Sequence, residues 1–256
     1  MDPATLIGLV VAFGAIITAI FIEGATPMSV LLPAPMILVF VATFGATLAG
    51  GTLRDAMGAL KAAPGAFTRK PSSPDDSIAT IVSLAERARR EGLLALEDAA
   101  RDIDDEFLKS GLRSAIDGTD PDDLRTILED QIHSKRQSDK TSYKFFNDMG
   151  GYAPTIGIVG TVVSLVHVLE NLAEPSELGH MIAAAFVATL WGIASANVMW
   201  FPIGNRLKRL SELECAQMEL VLEGLLAVQA GANPRLVGER LRSLVPAGEL
   251  RLKAAA

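Results

Sequence analysis

The sequence has one cysteine, Cys215, and three histidines in 256 residues. A lone cysteine forms no internal disulfide, which fits a reducing compartment for the segment that carries it. His133, His167 and His180 are spaced unlike the ligands of a metal site, and no cysteine cluster accompanies them. There is no phosphate-binding glycine loop of the Walker type, no repeat of fixed period and no β-strand pattern of any length. GIVGTVV, at 157–163, reads instead as small residues that let membrane helices approach closely. Nothing in this inventory supplies catalytic chemistry, so the expectation is that the chain is not an enzyme and holds no cofactor. Nor is there the concentrated basic surface that phosphate backbones require: the formal net charge is -7, which argues against nucleic acid as a partner.

Charge is absent from four long stretches: Ala4 to Ile22, Ala34 to Leu53, Ala153 to Leu169 and Met181 to Ile203, of 19, 20, 17 and 23 residues. A helix rises about 1.5 Å per residue and a hydrocarbon core is about 30 Å thick, so each run is read as a transmembrane helix in contact with membrane lipid. The first lacks a basic leader and is too long for a cleavable signal, so it is expected to stay as a spanning helix.

Lys and Arg are missing from both connectors that would lie outside. Glu23 to Pro33 and Glu170 to His180 carry only Glu23, Glu170, Glu174 and Glu177 as charges. All 23 basic residues fall in two blocks, 15 between Arg54 and Lys144 and 8 between Arg206 and Lys253. The rule that basic loops stay inside assigns both blocks and both termini to the cytoplasm. Arg54, Lys61, Lys140, Lys144, Arg206, Lys208 and Arg209 lie close enough to the spans to count in that rule.

The insertion opens with a Pro- and Ser-rich stretch, Ala63 to Asp76, read as flexible. From Ser77 the apolar residues Ile78, Ile81, Val82, Ala85 and Ala88 recur at helical spacing. Gly92 interrupts that helix, and a second is expected from Leu93 through DAARDIDDEFLKSGLRSAI. Gly118 permits a turn, Asp120 caps, and Pro121 opens a further helix through Ile127, Leu128 and Ile132. In the tail, Leu207, Leu210, Leu213, Met218, Leu220 and Leu225 form a stripe that continues the fourth span, ending near Gly231 and Pro234, and a short helix follows over 235–244. The expected fold is an all-α integral membrane protein with four transmembrane helices and a helical cytoplasmic domain. The division read from the sequence is 1–53 for the first two spans and their short periplasmic loop and 54–150 for the cytoplasmic helical domain. It continues with 151–204 for the last two spans and 205–256 for the cytoplasmic tail.

No span holds an Asp, Glu, Lys or Arg away from its ends, so this chain has no carboxylate relay of its own across a bilayer. An ion crossing here needs an acid from a partner. The polar groups available are Thr155, Thr161, Ser164, His167, Thr189, Ser195 and Asn197. Each also has a local reading, because Thr and Ser bond the carbonyl one turn back and Asn bridges neighbouring helices. Pro154 and Pro202 are either helix-end residues or hinges.

The third and fourth spans resemble the flagellar stator family of MotA and its sodium-motor counterpart PomA. So do GLVVAFGAIITAIFIEGA in the first span, EGLLALE and FLKSGLRSAIDGTDPDDLRTILE in the insertion, and EGLLAVQAGANPRLVGERLRSLVP in the tail. The resemblance covers nearly the whole chain in order and spacing. It implies an ion-driven rotary stator in the cytoplasmic (plasma) membrane. Five such subunits ring the helices of two MotB-type single-span chains, whose Asp carries the ion. It also implies that Thr161 and Thr189 lie on the ion pathway, that Pro154 and Pro202 couple ion passage to conformational change, and that Arg89 and Glu97 contact the rotor protein FliG. The cargo is H+ or Na+. Thr161 stands where sodium-driven relatives carry Thr and some proton-driven ones carry Ala, and both ions stay open.

Read from the residues, Arg87, Arg89 and Arg90 followed by Glu97 and Asp98 across Gly92 present both signs at neighbouring helix ends. Exposed ion pairs contribute about 0 to 1 kcal/mol each, which suits weak, reversible contact with a partner of alternating charge. The alternative is a solvated face in which Glu86 pairs with Arg90. Two departures from the family pattern stand out: Glu23-Gly24-Ala25 in place of a double glycine, and Ser164 in place of a common glycine. Other readings of the whole are an ExbB- or TolQ-like energiser of an envelope process, and a non-conducting membrane scaffold.

Overall fold

The computed structural model describes residues 4–70, 73–173 and 175–246. Every regular element among them is helical. They form two compact units, one of residues up to Lys70 together with Asp139–Arg209, the other of the remainder.

The first unit contains α1 (Ala4–Ile22), a 3-10 turn (Pro27–Val30), α2 (Pro33–Ala49), α3 (Leu53–Ala62) and α4 (Gly65–Thr68). It also takes the second part of α8 (Pro121–Glu170), all of α9 (Pro175–Ser195), a π-turn (Ala196–Trp200) and the start of α10 (Phe201–Gln229). Among the described residues, three helical runs are long and apolar enough to cross a membrane: α1, α8, and the run from Pro175 to Gln229. α2 is also apolar but has 17 residues, the lower limit for a span.

The second span therefore stops earlier than Leu53. Its helix ends at Ala49, and Leu53 opens α3. Thr52 is the reason. Its hydroxyl accepts from the Asp55 N–H (3.2 Å) while the Asp55 carboxylate accepts from the Thr52 N–H (3.1 Å), a capping box that starts a new helix after Gly50 and Gly51. The stretch Ala63 to Asp76 is more ordered than its composition suggests, since α4 occupies part of it and Pro74 begins α5 (Pro74–Glu91). Pro fits the first helical turn, where its missing N–H would be unpaired anyway. Pro71 and Ser72, in the same stretch, lie outside the described residues. Contacts place 54–70 and 139–150 with the membrane helices. Ala56, Ala59 and Ala66 bury against Phe145, Phe146, Met149 and Leu207.

The second unit contains α5, a 3-10 turn (Leu93–Ala95), α6 (Leu96–Arg101), α7 (Glu106–Ile116), the first part of α8, the rest of α10, and α11 (Pro234–Leu244). Its core is Ile78, Ile81 and Leu84 of α5, Leu108 and Leu112 of α7, Leu124 and Leu128 of α8, Leu220, Val221 and Leu225 of α10, and Val237 and Leu241 of α11. Burying a Leu or Ile side chain contributes about 1.5–3 kcal/mol. The expected single helix from Leu93 to Ile116 is broken at Asp102–Asp105. Asp105 uses its carboxylate to cap the next helix, accepting from the N–H groups of Phe107 (2.9 Å) and Leu108 (3.1 Å). Pro234 begins α11 behind Asn233, which accepts from the Arg235 N–H at 3.0 Å.

Glu223 ties three helices together. One carboxylate oxygen accepts from Arg125 of α8 at 2.9 Å, the other from Arg240 of α11 at 2.7 Å. The hydrogen bond to Glu223 holds the Arg125 guanidinium above its ordinary basicity; burial opposes this in part, and Coulombic attraction adds to it.

Candidate functional site

The third and fourth spans cross on glycine. A Cβ at Gly157 would meet the Ala188 carbonyl at 2.9 Å and the Gly192 Cα at 3.1 Å; one at Gly192 would meet the Ala153 carbonyl at 2.8 Å and the Gly157 Cα at 2.9 Å. These neighbours are backbone atoms, so nothing can step aside. Ala153, Ala185, Ala188, Ser195 and Ala196 are buried along the same seam.

At this crossing Thr161 and Thr189 come together, and their hydroxyls are hydrogen-bonded to each other. Thr161 Oγ1 also lies 3.1 Å from the Gly157 carbonyl of its own helix and 3.1 Å from the Ala185 carbonyl of the facing one. Carbonyls only accept, so the single Thr161 proton goes to one of them and its lone pairs accept the Thr189 proton. The Thr189 oxygen keeps its lone pairs. Four oxygens thus converge where no ionisable side chain is present. They can solvate a passing cation in part but cannot hold a proton as a carboxylate does.

The remaining polar residues behave locally. Thr155 donates to the Tyr152 carbonyl (2.8 Å), Ser195 to Gly192 (3.3 Å) and Asn197 to Ile193 (2.9 Å). His167 is exposed and accompanied by Asn171 and Glu170. Among the described residues no group of three or more His, Cys, Asp or Glu could hold a metal ion.

Pro154 is not a helix-end residue: α8 runs through it from Pro121 to Glu170. Gly150, one turn earlier, bears the Phe201 ring, whose atoms would be 2.7 Å from a Cβ placed there. Phe201 adjoins Pro202, so the two proline-bearing turns pack on each other. Pro202 follows the π-turn, where the Phe201 N–H reaches back to the Ala196 carbonyl. The sequence reading found the prolines but neither the π-turn nor Gly192, Gly150 and Phe201. Small residues at helical spacing were the available signal for the glycines; a π-turn has none. Trp191 was missed as well. Its indole N–H donates to the Val30 carbonyl at 2.7 Å, satisfying a connector carbonyl that hydrocarbon would leave unpaired.

Arg89 and Glu97, in the second unit, are exposed on either side of Gly92, whose φ of 83° ends α5. Glu97 pairs with Arg101 at 3.7 Å, and Arg87 with Glu91 at 3.3 Å in place of the expected Glu86–Arg90 pair. Arg89 makes no ion pair among the described residues.

Fold and site define a helical membrane subunit of a channel or motor, whose inner helices present hydroxyls and small residues. Residues 99–220 match the model of the MotA/TolQ/ExbB proton channel family, and residues 6–92 that of the motility protein A N-terminal region. Motility protein A of Bacillus subtilis (strain 168) is 35% identical over 260 residues, covering 100% of this chain and 94% of the relative. Chemotaxis protein PomA of Vibrio alginolyticus is 34% identical over 253 residues, covering 99% of each. Among solved structures, C. jejuni MotAB superposes with a TM-score of 0.93 at 27% identity, covering 99% of this chain and 100% of the other. The flagellar MotAB stator complex from Bacillus subtilis gives 0.90 at 34% identity with the same coverage. The chain belongs to the motility protein A family of flagellar motor stator subunits.

Proposed function

We propose that this chain is the ring-forming subunit of an ion-driven stator in the cytoplasmic membrane, with both termini in the cytoplasm. A single-span MotB-type partner supplies the Asp that carries H+ or Na+. The ion passes that Asp beside Thr161 and Thr189, and its passage turns a ring of five copies around two partner chains. Arg89 and Glu97 pass the torque to the rotor protein FliG. The observation that carries this reading is the cross-helix hydroxyl pair in a span crossing without any acid. Such a site assists a cation held by another group, and supplies no carrier itself. The N-terminal part of α1 shares a groove with Pro202, which supports placing the N-terminus and the cytoplasmic end of the fourth span on one side.

The test is motility of a strain whose own stator subunit is replaced by this chain with its MotB-type partner. Swimming speed is followed with and without sodium at fixed membrane potential. Restored swimming supports the stator reading and its ion dependence names the cargo. An assembled complex that never restores motility, yet energises an envelope process, points to the ExbB or TolQ type of work instead.

A further inference from the structure

We infer that Gly8 and Ala12 of α1 are positioning residues that keep open the space into which the fourth span bends at its π-turn, an inference that rests on the proposed coupling role of Pro202. A groove of about 430 Å³ lies between the two helices, lined by Thr5, Gly8, Leu9 and Ala12 on one side and Asn197, Val198 and Pro202 on the other.

Three features meet at this groove. Pro202 has no N–H, so the Val198 carbonyl one turn back loses its helical donor. The adjoining turn is already widened, with the Phe201 N–H bonded to Ala196, five residues back. The fourth span is therefore weakest in its backbone ladder at Asn197–Pro202, and a helix bends where its ladder is interrupted. The Asn197 side chain donates to the Ile193 carbonyl at 2.9 Å, a bond within its own helix. Opposite, two of the four α1 residues that line the groove, Gly8 and Ala12, are small. A Cβ built at Gly8 meets nothing within 4 Å.

The rest of unit one leaves the hinge few other directions. On the third span, the Phe201 ring rests on Gly150, and Gly192 is locked against Gly157. On α2, Phe40 stacks edge-on against Trp200 with centroids 6.2 Å apart. Interiors this close do not deform gradually, so movement goes where volume is free. Side-chain volume at positions 8 and 12 thereby sets how far ion passage can move the cytoplasmic end of the fourth span.

The test is a set of apolar α1 variants in the full complex with its MotB-type partner, all of which keep the span hydrophobic: Gly8→Leu, Ala12→Leu, and Gly14→Leu as a leucine outside the groove. Complex yield, ion flux with the partner's plug segment removed, and rotation speed of tethered cells are measured for each. Gly8→Leu and Ala12→Leu are expected to keep yield and flux within about twofold and to lose about tenfold in speed, because residues that limit a hinge act on the motion and not on the site of ion passage. Gly14→Leu is expected to match the parent. Adding Val198→Ala to Gly8→Leu is expected to restore speed, which a merely structural defect would not show. If Gly8→Leu lowers yield, Ala12→Val decides by the same criterion. Parental speed in assembled Gly8→Leu and Ala12→Leu, or slowing without rescue by Val198→Ala, overturns the inference. Pro202→Ala in the same assay separates the two levels. If it is slow while the α1 variants are normal, only the role of α1 falls; if it too is normal, the hinge reading falls.

Discussion

Thr161 and Thr189, 28 residues apart in sequence, share a hydroxyl-to-hydroxyl hydrogen bond across the crossing of two membrane helices. Thr161 also reaches the Gly157 and Ala185 carbonyls, whereas Thr155, Ser195 and Asn197 each bond within their own helix. That difference makes distinct predictions for residues that look alike in the sequence.

Replacing Thr189 by Val keeps the shape and removes the hydroxyl that donates to Thr161 and whose own lone pairs are left free by that bond. Ion flux through the complex is expected to fall by about tenfold or more, or to change its preference between H+ and Na+, with complex yield unchanged. Thr155→Val, which loses only a bond to its own Tyr152 carbonyl, is expected to conduct like the parent. Equal flux in both variants under proton and sodium drive would return Thr189 to a local packing role.

Gly192 is predicted to be intolerant of even one methyl group. Gly192→Ala places Cβ 2.8 Å from the Ala153 carbonyl and 2.9 Å from the Gly157 Cα, so the helices must part. Overpacking of this kind costs about 1–3 kcal/mol and pulls Thr189 from Thr161. The expected result is lower thermal stability in detergent together with reduced flux. Gly45→Ala on α2, where an added Cβ meets nothing within 4 Å, serves as the tolerant counterpart.

At the charged turn around Gly92, Arg89→Glu together with Glu97→Lys is expected to impair motility while leaving membrane level and partner binding intact, because both side chains are exposed. Each single reversal is expected to be partial, since exposed pairs contribute only about 0 to 1 kcal/mol. Normal swimming of the double variant, unaffected by matching reversals on the rotor protein, contradicts the assignment.

Glu223→Gln removes the charge that Arg125 and Arg240 share and leaves two guanidinium groups side by side. The second unit is expected to lose about 1 kcal/mol, seen as faster amide exchange in α11. Arg125 is held above its ordinary value in the folded chain, so its share of stability is complete at every pH below arginine's unfolded range and is lost only as pH rises through the folded value. On the arginine side, the network is therefore expected to be insensitive to pH across the neutral range.

Much of this architecture is legible in the residues because lipid and water impose strong patterns. The charge-free runs gave α1 its bounds, and the Leu stripe from Leu207 to Leu225 gave the continuation of the fourth span. The aspartate, glycine and proline signals at Gly118, Asp120, Pro121 and Gly231 mark turns in the structure as well. Other features depend on competition that composition does not encode. Leu53 is as apolar as the residues of the second span, yet the Thr52–Asp55 box assigns it to α3. Asp105 has to choose between extending α6 and capping α7, and capping wins. Pro154 reads either as a helix-end residue or as a hinge, and α8 runs straight through it, with the Phe201 ring packed on Gly150 one turn earlier. Of the site, the resemblance singled out Thr161 and Thr189 individually. Their direct contact, and the glycine pair that brings it about, depend on the crossing geometry.

Ion flux in sealed vesicles tests the central claim most directly, comparing this chain alone, this chain with an unplugged MotB-type partner, and the same complex with the partner's membrane Asp changed to Asn. The account predicts no flux from the chain alone, clear flux from the complex, and loss of that flux with the Asn partner, because the spans of this chain hold hydroxyls and carbonyls but no acid. Flux through the chain alone, or flux indifferent to the partner's Asp, would contradict it.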